Sequence, residues 1–115
     1  MKPGTVDAGR HAEDRALAYL QQQGLRLVER NARWRRGEID LVMRDGATLV
    51  FIEVRQRTRQ RFGSAAASID AAKRSRLWRS AQYFLLRYTS PPPCRFDAVC
   101  IDGEALTWLR HIMSA

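Results

Sequence analysis

Leu49, Val50, Phe51, Ile52 and Val54 make a nearly continuous apolar run, interrupted by one acid at Glu53 and followed by Arg55. A strand with apolar side chains on both sides must be covered on both faces, which places it at the centre of a sheet packed between helices. The flanking sequence agrees. Asp45-Gly46 is a hairpin signal joining this strand, residues 48–55, to a preceding one near 38–44. After it comes a helical pattern over about 67–88, in which Leu77, Trp78, Ala81, Phe84, Leu85 and Tyr88 form the apolar stripe. A long helix between strands implies a crossover, so the next strand, 95–102, is expected parallel to 48–55 and joined in the right-handed sense.

The remaining elements follow from the same reading. Residues 7–23 are helical, with Ala12, Ala16, Leu17, Tyr19 and Leu20 on one side and Gly24 as the stop. Glu13 falls inside that apolar stripe. Residues 25–32 read as a first strand, Arg33 to Gly37 as a basic turn, Ser90-Pro91-Pro92-Pro93 as the end of the second helix, and 105–112 as a last strand after Asp102-Gly103. The fold class expected is α/β, a mixed β-sheet flanked by helices in the order α-β-β-β-α-β-β. At 115 residues it suits one domain, 1–115, large enough for a real core. Trp78 is expected in that core, and Trp34 and Trp108 in packing against strands.

Asp40 and Glu53 sit in otherwise apolar strands, where ionised groups rarely go without a partner. Strand alternation puts Glu38, Asp40 and Val42 on one face and Phe51, Glu53 and Arg55 on one face. If Asp45-Gly46 is a two-residue loop, Asp40 lies opposite Phe51 and diagonal to Glu53; a four-residue loop sets Asp40 directly opposite Glu53. Either of these registers brings Asp40, Glu53 and Arg55 to the same face, at backbone separations of roughly 4.5–8 Å, whereas a three-residue loop would break the arrangement. Two carboxylates so close need a shared proton or a cation. Hard oxygen ligands favour Mg²⁺ or Mn²⁺, which generate hydroxide from water and stabilise charge on a phosphoryl oxygen. The alternative for the pair is an ion-pair network with Arg55 or Arg57.

Charge points to a partner. Twenty Lys and Arg against twelve Asp and Glu give a net charge of +8, the footprint of a protein that meets phosphates. Only Lys2 and Lys73 among these cations are lysine; the arginine richness suits bidentate phosphate contact and equally reflects a GC-rich coding sequence. Arg55, Arg57, Arg59 and Arg61 alternate, so an extended chain projects all four to the side of Glu53, as a comb for a phosphate backbone or as a solvated basic loop. Arg33, Arg35 and Arg36 add cations around Trp34, a ring on which an exposed base could stack. Glu38 is expected to flank the acidic pair, and Asp97 to pair with a local arginine. Cys94 and Cys100 lack the partners of a zinc site and read as reduced packing residues. The start lacks the apolar run of a signal peptide and no stretch approaches a membrane span, so the expected location is cytoplasmic, away from membranes.

The ordered set Gly37-Glu38-Ile39-Asp40-Leu41-Val42 and Leu49 to Arg57, with Gly9, Ala12-Glu13 and Ala16, Gly24, Arg30-Asn31, Phe62-Gly63, Lys73 and Arg95-Phe96-Asp97, resembles the YraN family of small bacterial proteins. That family is placed in the PD-(D/E)XK nuclease superfamily and is similar to archaeal Holliday-junction resolvases. The resemblance implies a restriction-endonuclease-like core and a Mg²⁺-dependent endonuclease acting on branched or structured DNA, as a homodimer that cuts two strands symmetrically. It implies that Glu13, Asp40 and Glu53 surround the metal, with the Val54 carbonyl as a further ligand. Arg35, Arg36, Arg57, Arg59, Arg61 and Lys73 are the residues expected on nucleic acid. Arg55 stands at the superfamily's lysine position, where it keeps the charge but is a very poor proton acceptor. Lys73 is then the candidate to supply an ammonium. A nucleic-acid-binding module of the same fold without catalysis is the second reading, and a basic protein–protein adaptor the third.

Overall fold

The computed structural model describes residues 5–57 and 69–113. Its elements are α1 (Thr5–Gln22), β1 (Arg26–Trp34), β2 (Gly37–Asp45), β3 (Thr48–Arg57), α2 (Ala71–Leu85), β4 (Cys94–Asp102) and β5 (Ala105–Met113). The strands form one sheet in the order β1-β2-β3-β4-β5. Only β3 and β4 pair in parallel, as the intervening helix requires; the other neighbours are antiparallel hairpins. The apolar strand β3 is central, and the expected α/β class and element order hold.

Both faces of that strand are covered. On one side Ala12, Ala16 and Leu20 of α1 pack on Leu41, Met43, Val50, Ile52, Val99 and Ile101. The four-residue spacing of two alanines and a leucine lets the helix lie close to the sheet. On the other side Leu77, Ala81 and Phe84 of α2 pack on Val42, Leu49, Phe51 and Phe96. Phe51 is the hub: it stacks on Phe96, its partner in the parallel register, at 5.6 Å, and meets the edge of Phe84 at 5.7 Å.

Several expectations need correction. The tight turn is Gly46-Ala47, one residue beyond Asp45-Gly46, because Asp45 pairs with Thr48 and Gly46 takes the positive φ of 63°. Arg33 and Trp34 belong to β1, so the basic turn shrinks to Arg35-Arg36. Helix α2 starts after Asp70, whose side chain accepts from the Lys73 N–H, and its regular part ends at Leu85. Beyond it, Leu86, Arg87 and Tyr88 donate to the carbonyls three residues back, so the helical pattern read to 88 ends in a tightened turn. Trp78 is 42% exposed rather than core. The buried residues of α2 are Leu77, Ser80, Ala81 and Phe84, and Trp78 falls to the side of that stripe.

Ser80 takes an inward position because it faces Gly37, where a Cβ would collide with the Ser80 hydroxyl. This contact sets how closely α2 approaches the start of β2. Gly37→Ala is expected to cost about 1 kcal/mol by forcing the Ser80 side chain off its rotamer. Gly37→Ala with Ser80→Ala should recover the loss, since the remaining Cβ lies at an ordinary 3.8 Å; urea denaturation of both variants checks this.

Candidate functional site

β2 and β3 part company at the acidic pair. Their register runs from Asp45 and Thr48 to Leu41 and Ile52, and its next step would set Asp40 directly opposite Glu53. There the ladder stops, and the Asp40 carboxylate takes over: its Oδ2 accepts the Val54 N–H at 2.8 Å. Side-chain alternation also breaks here. Leu41 and Met43 lie in the α1-side core, yet Ile39 joins Val42 in the α2-side core. Asn31, which the β1–β2 register sets opposite Asp40, has φ 53°, a left-handed conformation that asparagine tolerates better than most residues. The strands therefore open into a cleft.

The cleft has a volume of 590 Å³, with walls from α1 (Glu13), the β1–β2 corner (Trp34, Glu38), β3 (Glu53, Arg55) and α2 (Lys73, Arg76) around Asp40. Of the residues expected at the site, Glu13, Asp40, Glu53, Arg55 and Lys73 are brought together. Glu13, in the apolar stripe of α1, has a side chain only 15% exposed and lies 3.6 Å from the Arg30 guanidinium, which also holds Asp14 at 2.6 Å. Glu38 flanks the cleft and pairs with Arg33 at 3.0 Å. Arg35 and Arg36 are exposed and line no part of this cleft; Arg36 borders a neighbouring hollow. The side chain of Arg57, and all of Arg59, Arg61, Phe62 and Gly63, lie outside the described residues.

Electrostatics separates the two central acids. Burial, then the charges of Glu53, Glu13 and Glu38, push the Asp40 carboxyl up to about 8, against the opposing hydrogen bond from Val54. Its main charged neighbours are all acidic, which does not describe an ion-pair network. Glu53 is also raised by burial, but Arg55, Lys73 and Arg76 pull it back. Arg55 Nη1 lies 3.4 Å from Glu53 Oε2, so that half of the ion-pair alternative is present. Arg76 is the residue sequence reasoning missed. Its signal was the helical spacing: it lies three residues after Lys73, just before the buried Leu77, on the rim that faces the sheet.

The donor set fits a hard divalent cation. Among the described residues no three His, Cys, Asp or Glu side chains converge enough to enclose an ion alone. Mg²⁺ asks for less: one or two carboxylates, with water and substrate phosphate completing the octahedron. Asp40 and Glu53 would be that pair, and a cation there would relieve the repulsion that the neighbouring acids exert on Asp40.

Asp97, the other acid of the expected motif, serves elsewhere. It is fully buried and accepts from Arg95 Nε at 3.1 Å, Trp108 Nε1 at 3.0 Å and the His111 N–H at 3.1 Å. Arg95 in turn reaches Asp45 at 3.0 Å. The expected pairing with a local arginine is thus part of a network tying β4 to β5 and to the β2–β3 turn.

No helix among the described residues is long and apolar enough to cross a membrane. Comparison with known sequences matches residues 12–101 to the uncharacterised protein family UPF0102. A UPF0102 protein of Janthinobacterium sp. (strain Marseille) is 56% identical over 117 residues, covering 100% of this chain and 95% of its own length. One from Dechloromonas aromatica (strain RCB) is 57% identical over 111 residues, covering 96% and 92%, and one from Nitrosomonas europaea 54% identical over 106, covering 90% of each. With the match spanning the cleft, α1 from Ala12 onward, all of α2 and the sheet through most of β4, this chain belongs to the UPF0102 family, the YraN proteins that its motifs resemble.

Proposed function

We propose that the protein is a Mg²⁺- or Mn²⁺-dependent endonuclease that hydrolyses phosphodiester bonds in branched or otherwise structured DNA. The observation that carries this reading is the half-buried Asp40–Glu53 pair in a cleft that is also lined by Lys73 and Arg76. Acids and cations in one cleft suit a metal and a phosphate held together. Asp40 and Glu53 would hold the ion, and Glu13 would complete or orient its shell. The bound ion would supply hydroxide at neutral pH and neutralise charge on the phosphoryl oxygen. Arg55 binds the scissile phosphate, a role in which its permanent charge is an advantage. Lys73 lines the cleft, its charge acts on Glu53, and it takes the part the lysine of the superfamily motif would have played.

A panel of labelled four-way junction, flap, single-stranded and duplex DNAs, incubated with Mg²⁺ or Mn²⁺, tests the proposal. Cleavage of branched substrates by the wild type supports it; no cleavage of any substrate with either ion contradicts it. The engagement of Arg55 with Glu53 favours one other reading, a binding module that grips nucleic acid without turnover. Salt-sensitive binding without cleavage identifies that case. Arg55→Lys distinguishes the roles further. It is expected to keep or raise cleavage, whereas Lys73→Ala is expected to lower it about a hundredfold. Sizing in solution with and without DNA tests the homodimer that symmetrical cutting requires.

A further inference from the structure

We propose that the hollow beside the acidic cleft, built from Trp34, Arg36, Arg79 and Tyr83, seats an unpaired nucleotide flanking the phosphate held in the cleft. The inference deepens the proposed function and rests on it for the position of that phosphate. The hollow has a volume of 110 Å³ and shares Trp34 and Gly37 with the cleft, so the two are adjacent. Their chemistry differs. Four carboxylates line the cleft, whereas none lines the hollow, which offers two arginines, two aromatic rings and the Ser80 hydroxyl.

The rings are arranged as a platform. Trp34 and Tyr83 lie within 28° of parallel, with centroids 6.3 Å apart. Trp34 is held from the core side by Phe84, fully buried, edge-on at 6.3 Å. Tyr83 is 54% exposed, so aromatic surface remains open to solvent above a fixed base. Arg36 and Arg79 are exposed beside it. Bases inside a duplex are stacked on each other and present only their edges; away from a duplex end, a π-face is available only from an unpaired base. Guanidinium groups on the same rim suit the phosphate that follows such a base.

Helix α2 links the two regions. Lys73, Arg76, Arg79 and Tyr83 follow one another at spacings of three or four along it. Ten residues of helix rise about 15 Å, so one short stretch of a single strand can cover both regions. The seat gives the protein a preference for flaps and single-stranded branches over continuous duplex, because only those supply an unpaired base near the cut.

Binding measured by fluorescence anisotropy in EDTA tests this without turnover, with a short oligothymidine, a blunt duplex and a duplex bearing a single-stranded flap. Tyr83→Ala and Arg79→Ala are expected to weaken oligothymidine and flap binding about tenfold each and duplex binding less than about twofold; Tyr83→Phe, which keeps the ring, should bind as the wild type. Circular dichroism confirms that the variants are folded. Equal losses on all three probes, or no loss on any, overturn the seat. Failure of the wild type to bind any probe overturns it as well. Cleavage that is indifferent to Tyr83 and Arg79 overturns the seat alone, while Tyr83-dependent flap binding by a protein that never cleaves overturns the nuclease reading alone.

Discussion

Asp40→Asn is expected to abolish metal-dependent cleavage, by about a thousandfold or more, and at the same time to make the metal-free protein more stable at pH 8. Both effects have one origin. The Asp40 carboxyl is pushed from an ordinary 3.8 up to about 8 by burial and by three acidic neighbours. Below the unfolded value both states carry the proton and the group favours neither. Between pH 4 and pH 8 the fold keeps a proton that the unfolded chain releases, so stability falls as pH rises, by at most roughly 1.4 kcal/mol per pH unit from this group. Above about pH 8 the loss is complete and the slope from Asp40 vanishes. Asparagine has no proton to lose, and its carbonyl oxygen can still accept the Val54 N–H. Thermal melts from pH 4 to pH 9 should therefore show a shallower decline for Asp40→Asn than for wild type, with the curves furthest apart at the alkaline end. A saturating divalent ion should recover the wild type and leave the variant unchanged. Identical pH profiles would mean that Asp40 is not held in the charged, buried surroundings described.

The second large effect falls outside the cleft. Asp97→Ala is expected to cost about 3–5 kcal/mol, because it leaves the Arg95 guanidinium, the Trp108 indole N–H and the His111 backbone N–H without their shared acceptor in the interior. The side chain of Arg95 is only 12% exposed and its Nη2 already has no partner, so water cannot readily replace the lost carboxylate. His111 would lose the hydrogen bond made where the β4–β5 register shifts and its own φ is 55°. Glu38→Ala, at the exposed pair with Arg33, is the matched control and should change stability by less than about 1 kcal/mol. Urea denaturation of the two variants separates these outcomes. A cost at Asp97 no larger than that at Glu38 would show that the network does not hold β5 to the sheet.

These two acids show how far the sequence could be read. Asp40 was legible because an isolated acid in an apolar strand is conspicuous, and strand parity put it on the face of Glu53 for a two- or a four-residue loop, the parity that the pairing of Asp45 with Thr48 keeps. The two-sided burial of β3 and the parallel crossover to β4 were legible for a similar reason, since a continuous apolar run and an intervening helix each permit few arrangements. Asp97 was legible only as an acid near Arg95. Its remaining donors come from Trp108 and His111 on another strand, and the second carboxylate on Arg95 comes from the β2–β3 turn. No local pattern announces such meetings. Periodicity likewise located α2 but not its rotation, which depends on the contact between Ser80 and Gly37 and leaves Trp78 in solvent. The break in alternation at Asp40 was hidden too. It depends on the left-handed backbone at Asn31 and on β2 leaving β3, and it is this opening that turns two carboxylates on a sheet into a cleft.

A divalent cation completing the Asp40–Glu53 pair underlies both the proposed hydrolysis and the recovery of stability at alkaline pH. Calorimetric titration of the metal-free protein with Mn²⁺, at pH 6 and pH 8, detects that ion. One ion per chain is expected, bound more tightly at pH 8 because the ion must displace the proton on Asp40, with binding lost in Asp40→Asn and in Glu53→Gln. Mn²⁺ binding of equal strength in Asp40→Asn, or no binding by the wild type at millimolar Mn²⁺, would contradict a metal site at this pair.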